Sequence, residues 1–166
     1  MKLNIGDGFF SEIDSSDFEL VSKYSWRVLK SYKKSKFFYV ATTSYELGKR
    51  RHIVMHRLLM GVLNKPGKQV DHINGNGLDN RRSNLRICSQ SQNMMNRKKH
   101  TSSSKFKGVS WNKERKRWSS QIKLRGKQTH LGYFNCEKEA AEVYDNSANR
   151  MFGEYALTNK MLGLIL

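Results

Sequence analysis

Gln69-Val70-Asp71-His72-Ile73-Asn74-Gly75-Asn76-Gly77 decides the reading of this chain. Its first five residues read as the end of a strand, and the Asn-Gly-Asn-Gly run after them can only be a tight turn or loop. Ser83-Asn84-Leu85-Arg86-Ile87-Cys88 reads as a second short strand. Ser89 is suited to cap a helix, with Gln92 three residues on as in a capping box, and Asn93 then falls on the second turn of that helix. The result is a strand, loop, strand and helix in succession. Towards the N-terminus, residues 56–62 read as one short helix, ended by the Asn64-Lys65-Pro66-Gly67 turn. Residues 24–29, 37–43 and 52–55 read as strands, rich in aromatic and β-branched side chains and separated by basic turns.

The 166 residues carry a formal net charge of +17. So basic a balance points to a polyanionic partner, most simply nucleic acid. The charge is uneven: residues 51–104 hold ten basic side chains but only two acidic ones. An acid in that stretch, such as Asp71, is therefore expected to have a specific task. Apolar residues make up 37% of the chain, which suits two small cores better than one deep one. The longest apolar stretches, 60–63 and 162–166, are far too short to span a membrane, and residues 1–10 lack the layout of a signal peptide. Cys88 and Cys136 stand apart with no CxxC, which argues against a structural zinc site and a disulfide scaffold. A reducing, cytoplasmic setting is the expectation, with no membrane and no small-molecule cofactor.

The residues of the opening stretch suit phosphodiester hydrolysis. That reaction needs a base to take a proton from water and a cation to stabilise charge on the leaving oxygen. His72 can be the base, because imidazole titrates near neutrality. Asp71 and Asn93 offer the hard oxygen ligands that Mg2+ prefers. Adjacent strand residues point to opposite faces, so Asp71 and His72 can address metal and water separately only if the strand end is distorted. Asn84, on the second strand, can bond across to the loop and hold His72 in place. An isolated Asp-His pair is more often a turn cap beside a surface histidine. Here the Asn-Gly loop, Asn84 and Asn93 accompany it at compact spacing.

The series His56-Arg57-Leu58, Val70-Asp71-His72-Ile73-Asn74-Gly75-Asn76, Asp79-Asn80-Arg81-Arg82-Ser83-Asn84-Leu85-Arg86 and Gln92-Asn93 resembles the HNH homing endonucleases of phages, within the ββα-metal nuclease superfamily. The resemblance implies that His72 is the general base, that Asp71 and Asn93 hold one divalent metal, and that Asn84 orients the catalytic loop. Because Asn93 stands where other branches carry histidine, it implies Mg2+ or Mn2+, one per active site. Asn80 is expected to tie down the loop, and His56 to be packed or phosphate-binding rather than catalytic. Arg81 and Arg82 beside the loop, and Arg97 and Lys98 after the helix, are expected on DNA.

Arg97-Lys98-Lys99-His100-Thr101-Ser102-Ser103-Ser104 reads as a linker, basic and then hydroxyl-rich. Beyond it, 107–112, 117–125 and 129–134 read as three short strands, with a turn at Arg125-Gly126-Lys127. On the second strand Trp118, Ser120, Ile122 and Leu124 share one face, and Arg117, Ser119, Gln121, Lys123 and Arg125 the other. Leu131 is expected to point inward and His130 outward. Residues 137–152 read as a helix with a stripe of Ala140, Tyr144, Ala148 and Met151 or Phe152, an N-cap at Asn135 and a stop at Gly153.

Phe106-Lys107-Gly108-Val109, Arg117-Trp118, Gln121-Ile122, His130-Leu131-Gly132-Tyr133-Phe134, Ala140-Ala141, Tyr144-Asp145, Ala148 and Leu157 with Asn159 are similar to the AP2 DNA-binding domain. The similarity implies a sheet face that docks on double-stranded DNA. Lys107, Ser110, Asn112, Arg117, Gln121, Lys123, Arg125 and His130 are the expected contacts. Ser110 and Asn112 stand where plant members often carry arginine, so the docking mode carries over and the recognised sequence does not.

The expected architecture is α+β. A β-rich segment (1–55) precedes a ββα-metal nuclease core (56–98), a linker (99–104) and an AP2-like three-stranded antiparallel sheet with a helix (105–160). The expected activity is a site-directed DNA endonuclease acting as a monomer or weak homodimer. The rival is a DNA-binding regulator with a decayed nuclease unit. The apolar tail 161–166 suits either docking on the fold or self-association.

Overall fold

The computed structural model describes residues 1–30, 38–46, 48–97 and 103–165, and divides the chain into two compact units, Met1–Gln90 and Ser91–Leu166. Lys98 and most of the expected linker lie outside the described residues. Among the described residues, no helix is long and apolar enough to cross a membrane.

The first unit combines three small antiparallel sheets. A hairpin joins β1 (Lys2–Asn4) to β2 (Phe10–Glu12). After a short helix, α1 (Phe18–Val21), come β3 (Arg27–Lys30), β4 (Phe38–Glu46) and β5 (Lys49–Val54), ordered as they run. The expectation of strand from residue 24 is corrected, because Tyr24 turns back on Val21 and the Trp26 indole N–H donates to the Val21 carbonyl at 2.8 Å. Helix α2 (Met55–Leu59) follows, with its chain reversal tied by the Arg57 guanidinium, which donates to the carbonyls of Val62, Lys65 and Lys68.

Strands β6 (Gln69–His72) and β7 (Leu85–Cys88) pair antiparallel with Asp71 opposite Arg86. β7 is shorter than expected: Arg82–Asn84 forms a 3-10 turn that delivers the chain into the strand. Ile13, Val40, Ile53, Met55, Val70 and Leu85 belong to one buried cluster, so all three sheets share a core. Gly77 lies so close to β4 that a Cβ there would stand 2.0 Å from the Phe38 carbonyl oxygen. Only glycine lets the loop approach that strand.

Helix α3 (Gln90–Met95) begins on the last residue of the first unit, and the second unit continues with β8 (Val109–Asn112), β9 (Arg117–Leu124), β10 (Lys127–Phe134) and α4 (Glu137–Phe152). The sheet order is β10-β9-β8, and the strands pair antiparallel. Positive φ at both Arg125 and Gly126 makes the β9–β10 connection a two-residue turn whose twist matches the strands.

Helix α4 buries Ala140, Ala141, Tyr144, Ala148 and Phe152 against the sheet, and Phe152 rather than Met151 completes the stripe. Its N-cap is Cys136, not Asn135, without a side-chain cap bond among the described residues; Gly153 ends it at φ 54°. The first strand begins at Val109 rather than Lys107. Asn159 claims the segment before it, accepting from the Lys107 N–H at 2.7 Å and donating to the Lys107 carbonyl at 3.1 Å. Asp145 on α4 holds Asn159 in turn. Leu164 and Ile165 pack with Phe106, Val109, Ala140 and Ala141, so the described part of the tail docks on its own unit.

Candidate active site

Asp71 and His72, adjacent at the end of β6, are 7% and 5% exposed. The pairing keeps its register through His72, so the expected distortion of the strand end is absent from β6 and ordinary alternation puts the two side chains on opposite faces. The Asp71 carboxylate faces its cross-strand partner Arg86, which donates to Oδ2 from Nε at 3.0 Å and from Nη2 at 2.7 Å. His72 faces a different set of groups. Its Nε2 lies 3.2 Å from Asn80 Oδ1, and its ring meets His56 edge-on with centroids 4.9 Å apart. Tyr39 from β4 lies beside both rings, at 5.5 Å from His56 and 6.0 Å from His72.

The loop from Asn74 to Asn84 is held by its own amides. Asn74 Oδ1 accepts from the Asn76 N–H, and Asn76 Oδ1 from the Leu78 N–H, closing successive turns at 2.8 and 3.1 Å. Asn84 spans the base of the loop. Its Oδ1 accepts from the Asn74 N–H at 3.0 Å, and its Nδ2 donates to Asn74 Oδ1 at 3.0 Å and to the Asp79 carbonyl at 2.8 Å. The bridge across the loop thus exists, and it acts on Asn74 and Asp79 rather than on the imidazole.

Electrostatics follow from burial. Burial pushes the His72 imidazole below its ordinary range, opposed by the Asn80 bond and by the carboxylates of Asp71 and Asp79. His56 is pushed further, to about 3, by burial and then by the neighbouring charges of His72 and Arg57. Among the described residues its buried Nδ1 has no hydrogen-bond partner, and His56 packs as a neutral imidazole against His72. Arg81 holds the Asp79 carboxyl below the usual carboxylate range through two bonds of 2.7 and 2.8 Å.

Arg81 and Arg82, expected on DNA, are both engaged by acids. Arg81 pairs with Asp79 and Glu12, and Arg82 with Asp17. Sequence reasoning missed these acids and Arg86. Arg86 was legible in principle, since pairing the two strands across their loop sets it opposite Asp71. Asp79 was the second of only two acids in a basic stretch. Asp17 had no local signal.

The remaining site residues belong to the second unit. Asn93 lies on α3. Arg97 donates to Met94 Sδ at 3.2 Å. Lys107 turns inward: Nζ donates to the Met95 carbonyl at 2.5 Å, capping α3, and burial lowers the ammonium to about 8 against the pull of Asp145. Arg117, Lys123 and Arg125 are exposed. Ser110 and Asn112 share their face through the register Ser110–Ser119 and Asn112–Arg117. Gln121 accepts from Gln128 at 2.6 Å.

His130 points outward as expected. Leu131 is the extra residue of a bulge and packs inward, so Tyr133 also faces out, with its ring 4.4 Å from His130 and the Arg115 guanidinium 4.9 Å away. A cavity of about 580 Å³ beside β8 and β9 is lined by Lys107, Ser110, Gln121 and Lys123 with Met94 and Met95.

Comparison with known proteins points the same way. Residues 49–95 match the profile of a family described as HNH endonuclease, and this span holds Asp71, His72, Asn80, Asn84 and Asn93. An uncharacterized HNH endonuclease of Acanthamoeba polyphaga mimivirus is 34% identical over 160 residues, covering 96% of this chain and 79% of the relative. Protein 3.8 of Escherichia phage T7 is 34% identical over 128 residues, covering 76% of this chain and 96% of the relative.

Proposed function

The chain belongs to the HNH endonuclease family and is a DNA endonuclease; from that premise we propose that it is a site-directed, homing-type enzyme in which His72 is the general base and the second unit reads double-stranded DNA. The observation that carries the reading is the state of His72. It is buried, held below its ordinary pKa and gripped by the loop, so it stays neutral and oriented at neutral pH. A neutral, positioned imidazole is what proton abstraction from water needs.

HNH nucleases generally use a divalent metal, and the donor chemistry here fits a hard one. Asp71 supplies a carboxylate and Asn93 an amide oxygen, and the described residues contain no cluster of three or more His, Cys, Asp or Glu that would make an all-protein cage. Mg2+ takes few protein ligands and completes its shell with water and phosphate oxygens. We propose Asp71 as a ligand of Mg2+ or Mn2+; Asn93 is a ligand only as the family resemblance implies. When bound, such an ion would stabilise the charge that develops on the leaving oxygen. Arg86 holds the Asp71 carboxylate to one side of β6, and Asn80 holds His72 on the other. Asn84 keeps the loop between them closed.

The exposed face of the second unit is proposed as an AP2-like reader. Arg117, Lys123 and Arg125 would grip phosphates, and Ser110, Asn112, Gln121 and His130 would meet base edges. One site per chain makes a nick the expected product.

The test is a supercoiled plasmid carrying the DNA that flanks the protein's own coding region. With Mg2+ the protein should convert it to the nicked form, and chelator or His72→Ala should prevent this. If the wild type leaves such plasmids intact, or His72→Ala nicks as fast, the reading is wrong.

A further inference from the structure

The hydrogen bonds around Asn80 run in one direction only, and that direction reaches the base. The Asn80 side chain is completely buried. Its Nδ2 lies 3.4 Å from the Gly77 carbonyl and 2.9 Å from Ser11 Oγ, and its Oδ1 lies 3.2 Å from His72 Nε2. A backbone carbonyl can only accept, so the amide nitrogen belongs towards Gly77. Ser11 imposes the same orientation a second time. Its hydroxyl donates to the Leu78 carbonyl at 3.0 Å, which leaves an oxygen lone pair for Asn80 Nδ2.

The amide therefore presents its oxygen to His72. An amide oxygen only accepts, so His72 Nε2 must carry the proton and donate it.

We propose that Asn80 is a positioning residue that holds neutral His72 as the Nε2–H tautomer, making Nδ1 the basic atom, and that Ser11 of β2 locks Asn80 in that role. The second half gives the N-terminal hairpin, which lies outside the span matched by the family profile, a part in the active site. β2 is built for it. The Glu12 N–H donates to the Leu78 carbonyl at 2.9 Å, and the Glu12 carbonyl accepts from the Asn80 N–H at 2.8 Å. Backbone bonds on both sides of Asp79 thus set the height of Asn80 against the strand. His56 and Tyr39 pack beside the His72 ring, so turning the ring to exchange its nitrogens requires these neighbours to move. The catalytic importance of the tautomer rests on the reading of His72 as base; the tautomer itself does not.

The experiment uses the full chain, labelled with 15N at histidine, in chelator at neutral pH. Long-range 1H–15N spectra distinguish the two tautomers, and the His72 signals are identified by their loss in His72→Gln. The wild type should show the Nε2–H pattern. Asn80→Leu should shift His72 to a mixture of tautomers and lower kcat roughly 10–100-fold, the scale carried by the partner that orients a functional imidazole, with KM little changed. Ser11→Ala keeps the Gly77 contact and should show the same two changes in weaker form; it also serves should Asn80→Leu fail to fold. Ser11→Thr, which keeps the hydroxyl, should restore the wild-type pattern.

An Nδ1–H pattern in the wild type overturns the proposal. So does an unmixed Nε2–H pattern in Asn80→Leu, or in Ser11→Ala where that is the variant that folds. A wild type that shows Nε2–H but never cuts DNA leaves the tautomer assignment standing and sinks the catalytic reading instead.

Discussion

The two units handle their polar residues in opposite ways. In the first, Asp71, His72, Asn80 and Asn84 are all buried, and each has a defined partner in Arg86, Asn80, Ser11 or Asn74. In the second, Arg117, Lys123, Arg125 and His130 stand on an exposed sheet face. Under the proposed function, the difference follows from what each surface would do. An acid, a base and the loop that carries them must be held in one geometry, which needs burial and directed bonds. Phosphates can be met by long, solvated cations that find them by charge.

The comparison is sharpened most by Arg86→Ala. Removing one partner of a buried pair leaves the Asp71 charge uncompensated, at a cost of about 3–5 kcal/mol in urea unfolding. A loss under about 1 kcal/mol would mean that Asp71 is not buried as an ion pair.

The glycines come next. Gly77→Ala drives a methyl group into the Phe38 carbonyl and should cost about 1–3 kcal/mol by forcing the loop off β4. Gly126→Ala in the second unit meets open space and should lose only the roughly 1–2 kcal/mol of left-handed strain. Gly77→Ala should also slow cleavage, whereas Gly126→Ala should leave the rate of the bound complex alone. Equal effects on catalysis would break the contrast.

Acid should separate the units next. An unfolded chain protonates His56 near pH 6.5, whereas the folded one resists until about pH 3. Between those values the unfolded state binds more protons, so stability contributed at His56 rises as pH rises from 3 to 6.5. Lys107 does the same at the other end, between about 8 and 10.5, because folding lowers its pKa. Denaturation against pH should lose the acid slope in His56→Phe and the alkaline slope in Lys107→Met. Parallel curves for variant and wild type would contradict the burial of either group.

The smallest effect on stability belongs to the exposed face. Arg117→Ala and Lys123→Ala should each change stability by no more than about 0.5 kcal/mol. Each should also flatten the dependence of log affinity on log salt by about 0.9 for every phosphate that the side chain neutralises. A large loss of stability with an unchanged salt slope would make these residues structural.

Much of this was legible from local pattern. The period of apolar residues placed α4 over 137–152, and strand alternation sorted β9 into an inward and an outward face. The Asp-His pair with its Asn-Gly loop marked the candidate site. Residues that signal nothing to their neighbours escaped. Ser11, Asp14 and Asp17 lie more than sixty positions from the loop residues that they bond, Asn80 and Arg82, and no periodicity connects them. Lys107 stood among the DNA contacts that the AP2 similarity implies; packing turned it towards the end of α3.

By itself, then, the sequence determined the element types, the chemistry gathered around Asp71 and His72, and the attraction of the whole chain to a polyanion. These depend on residue type and on spacing over a few positions, where periodicity, turn chemistry and charge act. Tertiary structure decided which nitrogen of His72 carries the proton, which arginine faces Asp71, and that Arg81 and Arg82 bond acids. Those outcomes turn on the direction of single hydrogen bonds between distant segments. A buried donor or acceptor must find its partner wherever the fold brings one, and spacing along the chain does not encode that meeting.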